Sequence, residues 1–161
     1  MGGESVSEHM SPAAFVIDTQ TLVWFVKGRF LNLSRRAFLT LVDPRARVVI
    51  PSFVLQEIQD KFPYDGRRKG DISIPPTALL RILHRCSNVR ILPRGVAVLA
   101  REFELHRLRK ARKIEIDAQD VQIAAAVLVV RDYHRGSAVL VTSDGRLARW
   151  ASATSITVVR S

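Results

Sequence analysis

The sequence predicts an α/β domain in which a mainly parallel central sheet carries helices on both faces. Three observations lead there. Apolar runs of strand length alternate with helical patterns along the chain. No Asn-Gly or similar hairpin signal joins the apolar runs, so neighbouring strands must be linked by crossovers. At 161 residues and 47% hydrophobic content, the chain has the length and composition of one self-supporting core.

The elements follow in order. Residues 13–17 form an apolar run that ends at Asp18 and reads as a buried strand. Residues 19–27 suit a short helix stopped by Gly28. A second helix begins at Leu33-Ser34, with Ser34 as N-cap, Ala37, Phe38, Leu41 and Val42 facing inward, and Pro44 at its end. Residues 47–50 make the second strand. Pro51-Ser52 then opens a helix through Phe62, with Ser52 as N-cap and Val54, Leu55 and Ile58 as its buried stripe. Residues 63–76, rich in Gly and Pro around Arg67-Arg68-Lys69, read as a basic loop. Beyond it lie a helix over about 77–85, a strand at Val89–Leu92, a charged helix over 96–111 and an apolar helix over 117–130. A buried strand at Ala138–Thr142, a short helix over 145–151 and a strand over 156–159 complete the chain. Residues 1–12 read as a disordered tail and 13–161 as the domain.

Bulk properties narrow the function classes. The longest apolar run, 123–130, is far short of the ~20 residues that span a bilayer. The polar start lacks the basic and apolar regions of a signal peptide. One cysteine, Cys86, excludes an internal disulfide framework and a Cys-rich zinc site. A cytoplasmic protein without a membrane role is the expectation. With 25 Lys+Arg against 15 Asp+Glu, a net charge of +10 and a pI near 11.0, the chain calls for a polyanionic partner. Nucleic acid is the commonest.

Four acids are placed where chemistry is expected. Open parallel sheets bind ligands beyond the carboxyl ends of their strands. Asp18 ends the first strand and Asp144 lies just past Val141-Thr142. Asp120 falls in the first turn of the apolar helix, and Glu57 lies in the helix after the second strand. Four bare carboxylates cannot share a small cleft, because repulsion would raise their pKa values. Hard divalent cations resolve this, and Mg²⁺ or Mn²⁺ suits carboxylate-and-water sites. Each acid alone has a plainer explanation. Asp18 could cap the next helix, Glu57 could face solvent, and Asp144-Gly145 could be turn chemistry. Asp117 has the better credentials as an N-cap, with Asp120 at the third helical position.

Four segments together resemble the PIN-domain ribonucleases, most closely the VapC-like toxins of prokaryotic toxin–antitoxin pairs. They are FVIDTQTLVWFVKG at 15–28, LSRRAFLTLVDPRARVVIPSFVLQEI at 33–58, DVQIAAAV at 120–127 and VLVTSDGRL at 139–147. Each is short, but their order is specific. The resemblance implies a three-layer α/β/α sandwich and Mg²⁺- or Mn²⁺-dependent endoribonuclease activity. It also implies frequent homodimers and, for a toxin, a protein antitoxin over the active-site groove. The family's acids fall on Asp18, Glu57, Asp120 and Asp144, with Asp117 as the substitute for Asp120 in a shifted alignment. Thr142 fits the small polar residue that often precedes the last acid, where it would orient water.

Two basic stretches are candidate RNA contacts: Arg67, Arg68 and Lys69 in the loop, and Arg107, Arg109, Lys110, Arg112 and Lys113 before the Asp120 helix. The plainer reading of the second is a helix end favoured by its own dipole. Trp24 and Trp150 read as core, and Phe38, Leu41 and neighbouring apolar positions as a dimer surface. Three alternatives remain beside the toxin: a PIN nuclease of RNA maturation, a PIN-like module that binds without cutting, and an aspartyl-nucleophile phosphatase. The last would want an acid two residues after Asp18, where Gln20 stands.

Overall fold

The computed structural model describes residues 13–61, 81, 85, 88–134 and 137–161. Five strands form one sheet in the order β3-β2-β1-β4-β5. They are β1 (Ala14–Ile17), β2 (Arg47–Pro51), β3 (Val89–Leu92), β4 (Ala138–Thr142) and β5 (Thr157–Arg160). Every pairing is parallel, with Val16 opposite Val49 on one side of β1 and Leu140 on the other. This is the sheet expected of strands that read as continuous apolar runs, since helices cover both faces. Strand β4 is buried along its whole length.

The described helices are α1 (Thr19–Val26), α2 (Arg35–Val42), α3 (Ser52–Lys61), α4 (Val96–Lys110), α5 (Val121–Tyr133) and α6 (Gly145–Ala153), with short 3₁₀ turns at Phe30–Asn32 and Ala118–Asp120. The return from β3 to β4 runs opposite to the first two crossovers. Right-handed connection therefore puts its helices, α4 and α5, on the other face from α1, α2 and α3. Helix α5 is the central plug: every residue from Ile123 to Val130 is buried. Such all-round burial explains why its sequence shows no polar face.

Local chemistry sets several boundaries as the sequence predicts. Gly28, at φ 68°, ends α1 in a Schellman motif: Gly28 N–H donates to Phe25 O at 3.1 Å and Arg29 N–H to Trp24 O at 2.9 Å. Ser34 caps α2 by accepting from Ala37 N–H at 3.1 Å. Strands β3 and β4 have the predicted bounds.

Other expectations are corrected. Ser52 is the first residue of α3 rather than its N-cap, because β2 runs through Pro51 straight into the helix. Leu55 is half-buried, while Val54 and Ile58 are buried as expected. Val42 is exposed, while Ala37 and Leu41 are buried and Phe38 packs against the core. The apolar helix begins with a 3₁₀ turn and becomes α-helical only at Val121. Leu41 is in the core and so not free for a dimer surface, whereas Phe38 is half-buried among the rings of Phe25 and Phe30, with Leu39 and Val42 exposed near it. Trp150 is buried and Trp24 packs against the core. The expected tail 1–12, Phe62, the loop with Arg67, Arg68 and Lys69, and Cys86 lie outside the described residues. The helix expected over 77–85 does too, except for Arg81 and Arg85, both helical.

Candidate metal and phosphodiester site

Strand order reverses direction at β1, which makes the gap between the carboxyl ends of β1 and β4 a topological switch point. A cleft of about 410 Å³ opens there, lined by Asp18, Thr19, Glu57, Asp120, Asp144 and Gly145 among others. The structure thus brings all four sequence-selected acids to one opening. A second opening of about 500 Å³ lies at the other ends of the strands, around Arg47, Asn88 and His134, and no carboxylate is among the described residues that line it.

Asp18 is the most enclosed of the four, 8% exposed. Its Oδ1 accepts from Thr21 N–H at 2.9 Å, so it does cap α1. Its Oδ2 accepts from the Thr142 hydroxyl at 2.5 Å and from Ser143 N–H at 3.2 Å. Burial pushes this carboxyl above its ordinary range, and the hydrogen bonds from Thr142, Thr21 and Ser143 pull the other way. Capping and site membership are therefore not alternatives for this residue.

Thr142 joins two of the acids. Its hydroxyl donates to Asp18 and accepts from Asp144 N–H at 3.0 Å. A hydroxyl has one proton, so Thr142 could only accept from a water. Asp144 caps α6, its Oδ1 accepting from Leu147 N–H at 2.7 Å. Glu57 is drawn to the cleft from α3 by the hydroxyl of Thr19, which donates to its Oε2.

Asp120 is the least satisfied acid. Its Oδ2 is buried and, among the described residues, has no hydrogen-bond partner. Its pKa is raised to about 6, chiefly by burial and then by the charges of Asp144, Asp117, Asp18 and Glu57. Asp117 takes another course. It makes no side-chain cap, and its carboxylate instead pairs with Arg146 at 2.9 Å, tying the segment before α5 to the first turn of α6. Asp120 lines the cleft, and Asp117 is absent from its lining.

The donor set fits a hard divalent cation. An unpartnered buried carboxylate oxygen amid three further acids is what such an ion would satisfy. Among the described residues no three His, Cys, Asp or Glu side chains close into a direct ligand cluster.

The cationic stretch at the end of α4 has a structural use. Arg107, Arg109 and Lys110 occupy the last turn, where the helix dipole favours positive charge. Arg112 adopts φ 54° in a second Schellman motif, with its N–H donating to Arg109 O at 3.0 Å and Lys113 N–H to Leu108 O at 2.9 Å. Arg109 Nε also donates to Ile116 O at 3.1 Å. None of the five residues lines the cleft.

Sequence reasoning missed Thr19, whose hydroxyl positions Glu57, and Arg160. The Arg160 guanidinium donates to Asp144 O at 2.8 Å and Ser143 O at 2.9 Å, bracing the loop that carries the last acid. No local signal marks Arg160. It reaches that loop because parallel pairing sets it opposite Thr142.

A parallel five-stranded α/β domain with an acidic cleft at its switch point defines the class. The PIN domain family matches residues 15–161, and the chain belongs to that family. Solved structures share the fold. A chain of VapBC2 from Rickettsia felis, bound to a DNA fragment from their promoter, has a TM-score of 0.63 at 18% identity, covering 91% of this chain and 98% of that one. VapBC-5 of the VapBC family of toxin-antitoxin systems, from Mycobacterium tuberculosis, gives 0.59 at 19%, covering 93% and 100%. FitAcB from Neisseria gonorrhoeae gives 0.57 at 19%, covering 89% and 95%. Among curated proteins, none matches the chain in sequence. No helix among the described residues is long and apolar enough to cross a membrane.

Proposed function

We propose that this protein is a metal-dependent endoribonuclease and the toxin of a VapBC-like pair. The observation that carries the reading is the meeting of Asp18, Glu57, Asp120 and Asp144 at one cleft, with a buried Asp120 oxygen left unpartnered. Asp120 and Asp18 would hold the ion, with Asp144 and Glu57 completing the acidic lining. A bound Mg²⁺ or Mn²⁺ supplies Lewis acidity and lowers the pKa of water for in-line attack on a phosphodiester. The chain's part is to hold these acids in place. Thr142 orients Asp18 and the Asp144 backbone, Thr19 turns Glu57 inward, and Arg160 braces the 142–144 loop.

The net charge of +10 supports an RNA substrate. Solved relatives described as toxin-antitoxin assemblies support a protein antitoxin as partner. A cytoplasmic homodimer completes the reading. Val96, Leu99 and Phe103 are exposed on one side of α4 and would serve the dimer contact.

The test incubates wild type and Asp18→Asn with single-stranded and structured RNA in Mn²⁺, Mg²⁺ or EDTA. Metal-dependent cleavage by the wild type, lost in the variant and in EDTA, is expected. Tight RNA binding with no cleavage in either metal would overturn the nuclease and leave a binding module.

A further inference from the structure

The cleft wall at Gly145 carries a second feature, built from basic residues that neither sequence stretch contains. A side-chain carbon placed on Gly145 would lie 3.7 Å from Arg149 Nη1 and 4.0 Å from Arg160 Nη1, so two guanidinium groups converge beside this one residue. Arg149 arrives from one turn along α6. Helical side chains lean toward the N-terminus, and a residue four positions on reaches back over that turn. Arg160 arrives from β5, which pairs with β4 in parallel register. Gly145 itself belongs to the lining of the acidic cleft.

The charges at this spot are not spent on one another's partners. Arg160 uses two of its donors on the carbonyls of Ser143 and Asp144, and a guanidinium has five. Arg149 makes no hydrogen bond or ion pair among the described residues. The third arginine of the segment, Arg146, is already paired with Asp117. Neither guanidinium is ion-paired with a carboxylate among the described residues, so both keep donors for an anion. Planar guanidinium forks match phosphate geometry.

Building on the nuclease reading, we propose that Arg149 and Arg160 form the subsite for an RNA backbone phosphate next to the one lying over the acids. The strand then passes over Gly145, where the missing side chain leaves the two guanidinium groups open to it. This subsite positions the strand and carries no base recognition, in keeping with the role of phosphate contacts.

The experiment measures binding in EDTA, with the full chain and a fluorescent 2′-O-methyl RNA of ~12 nucleotides, within the usual single-strand site size. The variants are Arg149→Gln, Arg149→Lys, Arg160→Gln, and the double variant Arg112→Gln with Lys113→Gln. Arg149 is exposed, so its replacement leaves the fold intact, and equal melting temperatures would verify this. Arg149→Gln should weaken binding about tenfold at low salt and flatten the log K against log salt slope by about 0.7, the value of one single-strand phosphate contact. Arg149→Lys should keep the slope. Arg160→Gln should weaken binding likewise, and the double variant should bind as wild type.

Unchanged affinity and slope in Arg149→Gln would overturn the subsite. So would absence of wild-type binding at low salt, or a loss confined to the double variant, which would move the strand to the end of α4. If Arg149→Gln instead impaired only capture of an acidic protein partner, the proposal would equally fail. Cleavage plays no part in this readout. An RNA-binding rim on a protein that cuts nothing would sink the nuclease reading alone.

Discussion

Replacing Asp120 by Asn should stabilise the metal-free protein. An acid whose folded pKa is raised binds its proton more tightly when folded than when unfolded. Its favourable contribution is complete below the unfolded pKa, near 3.8, and is lost as pH rises through the folded value of about 6. Above that window the folded state carries a charge it does not favour. At ~1.4 kcal/mol per pKa unit the penalty is about 3 kcal/mol, and water in the open cleft screens it to about 1–2 kcal/mol. Asp120→Asn removes that charge at nearly the same size. The variant should therefore gain about 1–2 kcal/mol at pH 7.5 in urea unfolding, or roughly 2–8 °C in Tm. The gain should fall to about half by pH 5 and vanish below pH 4, because the wild-type acid is then protonated. Mn²⁺ should reverse the ranking. At a hundred times its dissociation constant it would stabilise the wild type by about 2.7 kcal/mol and the variant far less. Asp117→Asn serves as the control. Its pair with Arg146 is exposed, so its loss should cost about 0–1 kcal/mol and leave the Mn²⁺ response in place. An Asp120→Asn variant that is no more stable at pH 7.5, or whose gain is the same at every pH, would refute the reasoning.

Thr142→Val keeps the shape but removes the hydroxyl that donates to Asp18 and accepts from Asp144 N–H. It should cost about 1–3 kcal/mol in urea unfolding and weaken Mn²⁺ binding by calorimetry, and wild-type values for both would count against the link between the acids. Leu140→Ala empties a fully buried position in β4, beside the centre of the sheet, and should cost about 2–5 kcal/mol in the same unfolding assay. A loss below 1 kcal/mol would mean the core collapses around it.

The elements were legible wherever a local hydrogen bond or apolar run decides them. Gly28 ends α1 because the left-handed position there suits glycine, and Ser34 caps α2 from three residues away. The failures share a cause. Asp117 has the right identity and position for a cap, yet its carboxylate finds Arg146, 29 residues on, a competitor no local pattern contains. Phe38 is half-buried because the 3₁₀ turn at Phe30–Asn32 brings a ring against it, a contact no local pattern shows. The basic run at 107–113 is not among them, because Arg107, Lys110, Arg112 and Lys113 stay exposed and the helix-end reading of the sequence holds. In the fold it caps α4 and braces Ile116.

The sequence by itself determined the alternation of strands and helices, the caps made within a few residues, and the order of four acids that ties the chain to the PIN domain family. These are properties of near neighbours along the chain. Only the tertiary structure decided which acid of the pair Asp117 and Asp120 enters the cleft, that Thr19 reaches Glu57, and that Arg160 stands behind the Asp144 loop. Those depend on the parallel register of β1, β2, β4 and β5, which brings together residues as far apart in sequence as Asp18 and Ser143, separated by 125 positions. Register is set by how the whole apolar core packs, so no single stretch of sequence displays it.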